Sequence, residues 1–491
     1  MNGFIHTAPR SIALLLLFMA LGGSATQLPA AGQEPLGVYA ANPHYFTGMD
    51  GAPVLFLGHA EVDVVLGLTD EDWRWQLDSS AASGLNLIKV LGANSRDLYE
   101  DRSTHKINPF MRTGPGYDWN GYAKWDLDQF DDEYFANITE VVSYAYSRNI
   151  YVQVYLWNEI GLKAGAIETR WDGSYWNPSN TITNTAAYGF PGWEGDGRAV
   201  FYGSLTNPVT VGGKTLLQRQ EELFDRIVAA TRDYPNVFYE LGLEVSSDSY
   251  GTAWADHWVA RLRAMAPGKL MIVDTTHNGD RTGYDGVTAH QVSPDDDSVP
   301  EGLRASLKMG IEDSDFTCDW ASGDDARARR AAWYAVISGA HWEDFRCADR
   351  LLVNKGTSSI GWRRPNVVEH LKHIRGFFDS RMIPLGDMTP DDSRATGETG
   401  AYQADVLAGR GHTVVYAPPG TAFDLRLGAD SYATEWYDPR LGTFRPGASI
   451  SGGTVHFSPP TAEDWVLHVY SRPRPVRPSF PGNEVIPTLI E

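Results

Sequence analysis

Acidic and aromatic side chains recur in this sequence directly after short apolar runs, a placement that could assemble an acid–base site. His59, Glu61 and Asp63 follow a run at 54–58, and Trp157, Asn158 and Glu159 follow one at 150–156. Glu244 follows 237–241, His277 follows 270–274, and His290 ends 286–290. Glu312, Asp313 and Asp315 follow 306–311, and Trp342, Glu343 and Asp344 lie within 341–345. Two carboxyl groups facing one another can cleave an acetal: one protonates the leaving oxygen while the other attacks the anomeric carbon or activates water. Trp and Tyr provide flat apolar faces for the C–H surface of a sugar ring. Other chemistries fit less well. No Gly-x-Ser-x-Gly elbow is present for a serine nucleophile. His59, His277 and His290 are too scattered for a metal site, so neither metal nor cofactor is expected.

These residues can converge only if the apolar runs become neighbouring strands. The eight runs, with 86–91 as the second, are mostly continuous rather than alternating, as in parallel strands buried on both faces. Amphipathic helical patterns lie between several of them. In 216–232, for example, Leu216, Leu223, Phe224, Ile227 and Val228 share one stripe. The pattern predicts an α/β fold, a (β/α)8 TIM barrel over 36–385, whose active site lies at the C-terminal ends of the strands. Past that point helical stripes vanish and turn signals alternate with short strands, which predicts a small all-β sandwich over 386–472. A Pro-rich tail, 473–491, closes the chain.

The connection at 157–214 is long for a barrel loop. Trp171, Tyr175, Trp176, Tyr188, Phe190, Trp193, Phe201 and Tyr202 are interleaved there with Asn, Gly and Ser, which suggests a wall over a carbohydrate cleft. The chain has 491 residues, 42% hydrophobic and 12% aromatic with 16 Trp, and a formal net charge of -21. That charge disfavours nucleic acid and anionic membrane as partners and leaves neutral carbohydrate as the expected one. Residues 1–25 read as an export signal, with Arg10 before an apolar run and small residues after it. The expected location is therefore secreted or periplasmic, with no membrane association after signal removal. In an oxidising compartment the two cysteines, Cys318 and Cys347, are expected to form one disulfide. Oligomeric state is not legible.

Several motifs resemble the apiosidase-like glycoside hydrolases. They are Asn42-Pro43-His44-Tyr45-Phe46, Asp50-Gly51-Ala52-Pro53-Val54, Pro109 to Gly116, Trp125-Asp126-Leu127 and Asn236-Val237-Phe238-Tyr239-Glu240. The end of the chain resembles the collagen-binding-like β domain that often follows this barrel, through Trp436 to Gly442, Pro459-Pro460 and Asp464-Trp465-Val466-Leu467. The resemblance implies a retaining (β/α)8 glycosidase with catalytic carboxylates on the fourth and seventh strands. It assigns Glu244 as acid/base and matches the seventh-strand acids loosely, where Glu312 is preferred as nucleophile over Asp313 and Asp315. His59, Trp157, Asn158, Glu159, His277, His290, Asp313, Asp315 and Trp342 are the expected substrate contacts. Where the family has Asn before the acid/base Glu, this sequence has Leu243. The implied activity is hydrolysis of a plant or microbial polysaccharide, exo-acting on a side-chain sugar such as apiose or arabinofuranose. The alternative class is a non-catalytic glycan-binding protein on the same barrel.

Overall fold

A computed structural model describes residues 36–58, 70–93, 108–119, 121–165, 171–242, 245, 247–274, 283–289, 309–313, 325–343, 365–400 and 402–471. The expected export signal, the Pro-rich tail and both cysteines lie outside these residues.

Eight parallel strands close into a barrel: β1 (Leu57–Gly58), β2 (Leu87–Leu91), β3 (Tyr151–Tyr155), β4 (Val237–Glu240), β5 (Met271–Asp274), β6 (Gly286–Ala289), β7 (Met309–Asp313) and β8 (His341–Glu343). Each falls on or beside one of the eight apolar runs. β7 is displaced, starting at Met309 and including Glu312 and Asp313 rather than ending before them. Helices α1 (Asp70–Ala82), α2 (Asp132–Ser147), α3 (Leu216–Thr231), α4 (Ser247–Met265), α5 (Asp325–Ile337) and α6 (Pro365–Ser380) accompany the strands. α3 starts at a capping box, in which Thr215 accepts from the Gln218 backbone and Gln218 accepts from the Thr215 backbone. Its predicted stripe is buried: Leu216, Leu223, Phe224, Ile227 and Val228 all belong to the main core.

Side chains alternate along each barrel strand. Leu57, Ile88, Val90, Val152, Val154, Val237, Tyr239, Met271, Val273 and Trp342 join the core shared with the helices. The other parity fills the lumen. Its lower end is plugged by Phe56, Leu87, Tyr151, Phe238 and Ile272, together with Leu36, Phe46 and Met49 from the N-terminal segment.

The C-terminal domain contains β9 (Asp405–Gly409), β10 (His412–Ala417), β11 (Phe423–Asp438), β12 (Thr443–Phe457) and β13 (Trp465–Ser471), all antiparallel. The expected sandwich is one continuous sheet. β11 pairs with β13 through Tyr432–Tyr437 and with Ala395–Thr396 through Asp424–Leu425, and its pairing with β12 has a register shift between Leu427 and Ser431. Phe423, Leu425, Leu427, Val415, Leu467 and Val469 share the enclosed core.

This domain is bound firmly to α5 and α6. Arg329 donates Nε and Nη2 to the two Asp464 oxygens at 3.0 and 2.7 Å, with both side chains buried. Arg381 grips Glu435 through two hydrogen bonds of 2.6 and 2.9 Å, and Trp333 stacks with Tyr416. Glu435 is held at about 2, because the His468 and Arg381 hydrogen bonds outweigh the opposing effect of desolvation by burial, the largest single influence. The helices thus anchored flank β8, so the β domain braces that side of the barrel.

Candidate active site

The lumen becomes ionic midway along its strands. Lys89 of β2 forms an ion pair with Glu343 of β8, both without solvent exposure, so the pair spans intervening β1. Gly58 of β1 makes that possible. A Cβ there would stand 2.7 Å from the Leu87 carbonyl oxygen and 3.2 Å from Glu343 Cγ. Lys89 Nζ also lies 5.2 Å from the Tyr155 ring centre.

Glu240, the last residue of β4, is fully buried. It accepts from Gln153 Nε2 of β3, and from Thr288 Oγ1 of β6 at 2.6 Å. Donors to both carboxylate oxygens make this a fixed strut at the end of the strand that leads to Glu244. Reasoning from sequence overlooks Lys89, Gln153 and Thr288. Each is a lone polar residue in an apolar strand, and that is the signal that marks them.

His341 ends the ionic zone from below. Its Nδ1 accepts from the Phe56 backbone N–H at 2.9 Å, and burial pushes its pKa down to about 3, so the imidazole is neutral.

Residues 40–262 match the sequence model of the apiosidase-like catalytic domain. Over that stretch the chain is similar to the apiosidase-like glycoside hydrolases. Residues 389–470 match a domain described as the collagen-binding domain of a collagenase. A family 5 glycoside hydrolase from Bacteroides vulgatus superposes with a TM-score of 0.61 at 16% identity, covering 89% of this chain and 93% of its own. A second solved glycoside hydrolase gives 0.60 at 13% identity, covering 89% and 97%. These structural likenesses establish the barrel and β-domain fold. No curated protein sequence matches.

On the seventh strand of the glycoside hydrolase barrel, backbone register separates the two adjacent acids. Asp313 pairs in register with Glu343, a lumen residue, whereas Glu312 pairs with Trp342 and Ala289. Trp342 is fully buried in the core shared with the helices. The preference for Glu312 assumed that it follows the strand; it lies inside it.

The other expected contacts of the glycoside hydrolase domain divide into two groups. His59, Glu244, His277, His290 and Asp315 lie outside the described residues. Trp157, Asn158, Glu159 and Trp342 are described, and all four are buried. Trp157, expected to stack on sugar, packs instead against Trp258 and Phe201 with ring centres 5.0 and 5.3 Å away. Trp342, expected to do the same, is enclosed by the helix layer because its strand parity points outward. Asn158 turns the chain after β3, its Oδ1 accepting from Ile160 N–H at 3.0 Å. Glu159 anchors the loop, accepting from Tyr202 Oη at 2.9 Å and Arg198 Nη1 at 3.3 Å.

The expected aromatic wall is likewise mostly interior. Trp171, Tyr175, Trp176, Tyr188, Phe190, Phe201 and Tyr202 are all buried and belong to the main core. A loop this long folds by enclosing its own rings, and only Trp193 of that set reaches solvent substantially, at 48%.

Proposed function

We propose that this glycoside hydrolase is exported and removes a side-chain sugar, such as apiose or arabinofuranose, from a plant or microbial polysaccharide with retention of anomeric configuration. Glu244 donates its proton to the glycosidic oxygen as that bond breaks, while Glu312, with Asp313 beside it as the contender, attacks the anomeric carbon to form a glycosyl ester. Water deprotonated by Glu244 then releases the sugar and restores both carboxyl groups. The observation that carries this reading is the change of the lumen from apolar to ionic toward the strand ends. Glu240 is locked at the end of β4, just before Glu244, and Glu312 and Asp313 are the last two residues of β7. Leu243 offers no donor where the related enzymes carry Asn, which supports a sugar whose 2-hydroxyl is recognised by other groups.

Glu244→Gln and Glu312→Gln should each lower turnover of poorly activated substrates by about 10²–10⁴-fold with unchanged melting, whereas Asp313→Asn should be milder. Assays on aryl apiosides and arabinofuranosides, with ¹H NMR of the first-formed anomer, measure this. Near wild-type turnover in Glu244→Gln sinks the acid/base role, and an inverted product sinks retention. Should Asp313→Asn prove the more damaging of the two seventh-strand variants, the nucleophile is Asp313.

A further inference from the structure

We propose that Trp119 and Trp193 form a sugar-stacking platform outside the reaction centre that holds a stretch of neutral polysaccharide chain. This rests on the carbohydrate reading above and extends it from the reacting sugar to the polymer that carries it. Among the described residues, these are the two tryptophans more than a third exposed, at 37% and 48%, whereas most of the others are fully buried. Their ring centres are 6.4 Å apart with planes inclined at 57°, so two indole faces lie side by side at an angle.

Both mounts are rigid and share a base. Trp119 N–H donates to Asn180 Oδ1 at 3.2 Å, and buried Asn180 donates its Nδ2 to the Asp172 carbonyl at 2.6 Å. Glu194 N–H, directly after Trp193, donates to Asp172 Oδ1 at 2.7 Å. Asp172 and Asn180 therefore hold the backbone that carries both indoles, independently of any contact between the rings. Presenting rigid aromatic surface reduces the ordering cost of binding.

Topology places the pair at the working end of the barrel. Trp119 is at the turn of the hairpin 110–130, which lies in the connection after β2, and Trp193 lies in the connection after β3. β2 and β3 are neighbours, and both connections leave from C-terminal strand ends. Flat apolar faces on a chain of net charge -21 suit an uncharged sugar chain rather than a polyanion.

Affinity electrophoresis of the full chain carrying Glu244→Gln, in gels containing arabinan, xylan, galactomannan or polygalacturonate, tests the platform apart from turnover. At least one neutral polysaccharide should retard the protein. Trp119→Ala or Trp193→Ala should each weaken that retardation roughly tenfold, and Trp193→Tyr should keep most of it because a flat ring remains. In the active enzyme, the ratio of kcat/KM on the retarding polymer to that on an aryl glycoside should fall by a similar factor in the alanine variants. Retardation undiminished in the double alanine variant, or no retardation by any neutral polymer, overturns the platform. Retardation that depends on both tryptophans in a chain with no hydrolytic activity would retain the platform and discard the hydrolase reading. Aryl-glycoside turnover without polymer retardation would do the reverse.

Discussion

The floor and the middle of the barrel lumen are one pleat apart and chemically opposite. On five strands, moving two residues toward the C-terminal end takes Phe56 to Gly58, Leu87 to Lys89, Tyr151 to Gln153, Phe238 to Glu240 and His341 to Glu343. In the floor, Phe56 and Phe238 stack across the lumen with ring centres 5.7 Å apart and planes within 5°. One step above, Lys89 meets Glu343, and Glu240 accepts from two donors. The apolar floor keeps water away from below, so the ionic layer has to satisfy its charges internally. That requirement fixes the side chains immediately beneath the strand ends where the reactive acids belong.

Breaking the ion pair should give the largest effect. Glu343→Leu removes the carboxylate facing Lys89 in a site without solvent and should cost about 3–5 kcal/mol of stability, measured by urea denaturation. Lys89→Met combined with Glu343→Leu should recover most of that loss while turnover stays low. A double variant as unstable as the single one would mean that the pair shapes the lumen, and that charge compensation is not its main role.

The contrast within the lumen also explains what the sequence could convey. Strands buried on both faces produce continuous apolar runs, so all eight were legible from 54–58 to 341–345. The same continuity hides where a strand ends. Nothing in 306–311 announces that the strand runs on through Glu312 and Asp313, and that emerges only from pairing with Trp342 and Glu343. Lys89 reads as an interruption of a strand because its partner is more than 250 residues away. Tryptophan count is equally silent about burial: Trp157 and Trp342 are interior, while Trp119, which attracted no notice in the sequence, is exposed.

The floor should announce itself in acid. His341 has its pKa depressed to about 3 by burial, against 6.5 for an unperturbed His, so between these values the unfolded chain binds a proton that the folded chain excludes. Stability should therefore be complete above about pH 6.5 and decline as pH falls, by about 2 kcal/mol at pH 5 from this residue alone. His370, lowered to about 4 mainly by burial, acts in the same direction. His341→Asn leaves an Oδ1 to accept the Phe56 N–H and should flatten the slope of urea midpoint against pH. An unchanged slope would exclude His341 as its source.

The smallest test removes little from each layer. Ile272→Val deletes one methylene group from the floor and should cost about 0.5–1.5 kcal/mol with turnover intact. Thr288→Val preserves shape but removes the hydroxyl that donates to Glu240, and should cost about 1–3 kcal/mol. If Glu240 is the strut for Glu244, the second variant should also lower kcat several-fold, whereas the first should not. Equal stability losses with turnover untouched in both would show that the two layers act alike as packing, and that the site is positioned from the loops above.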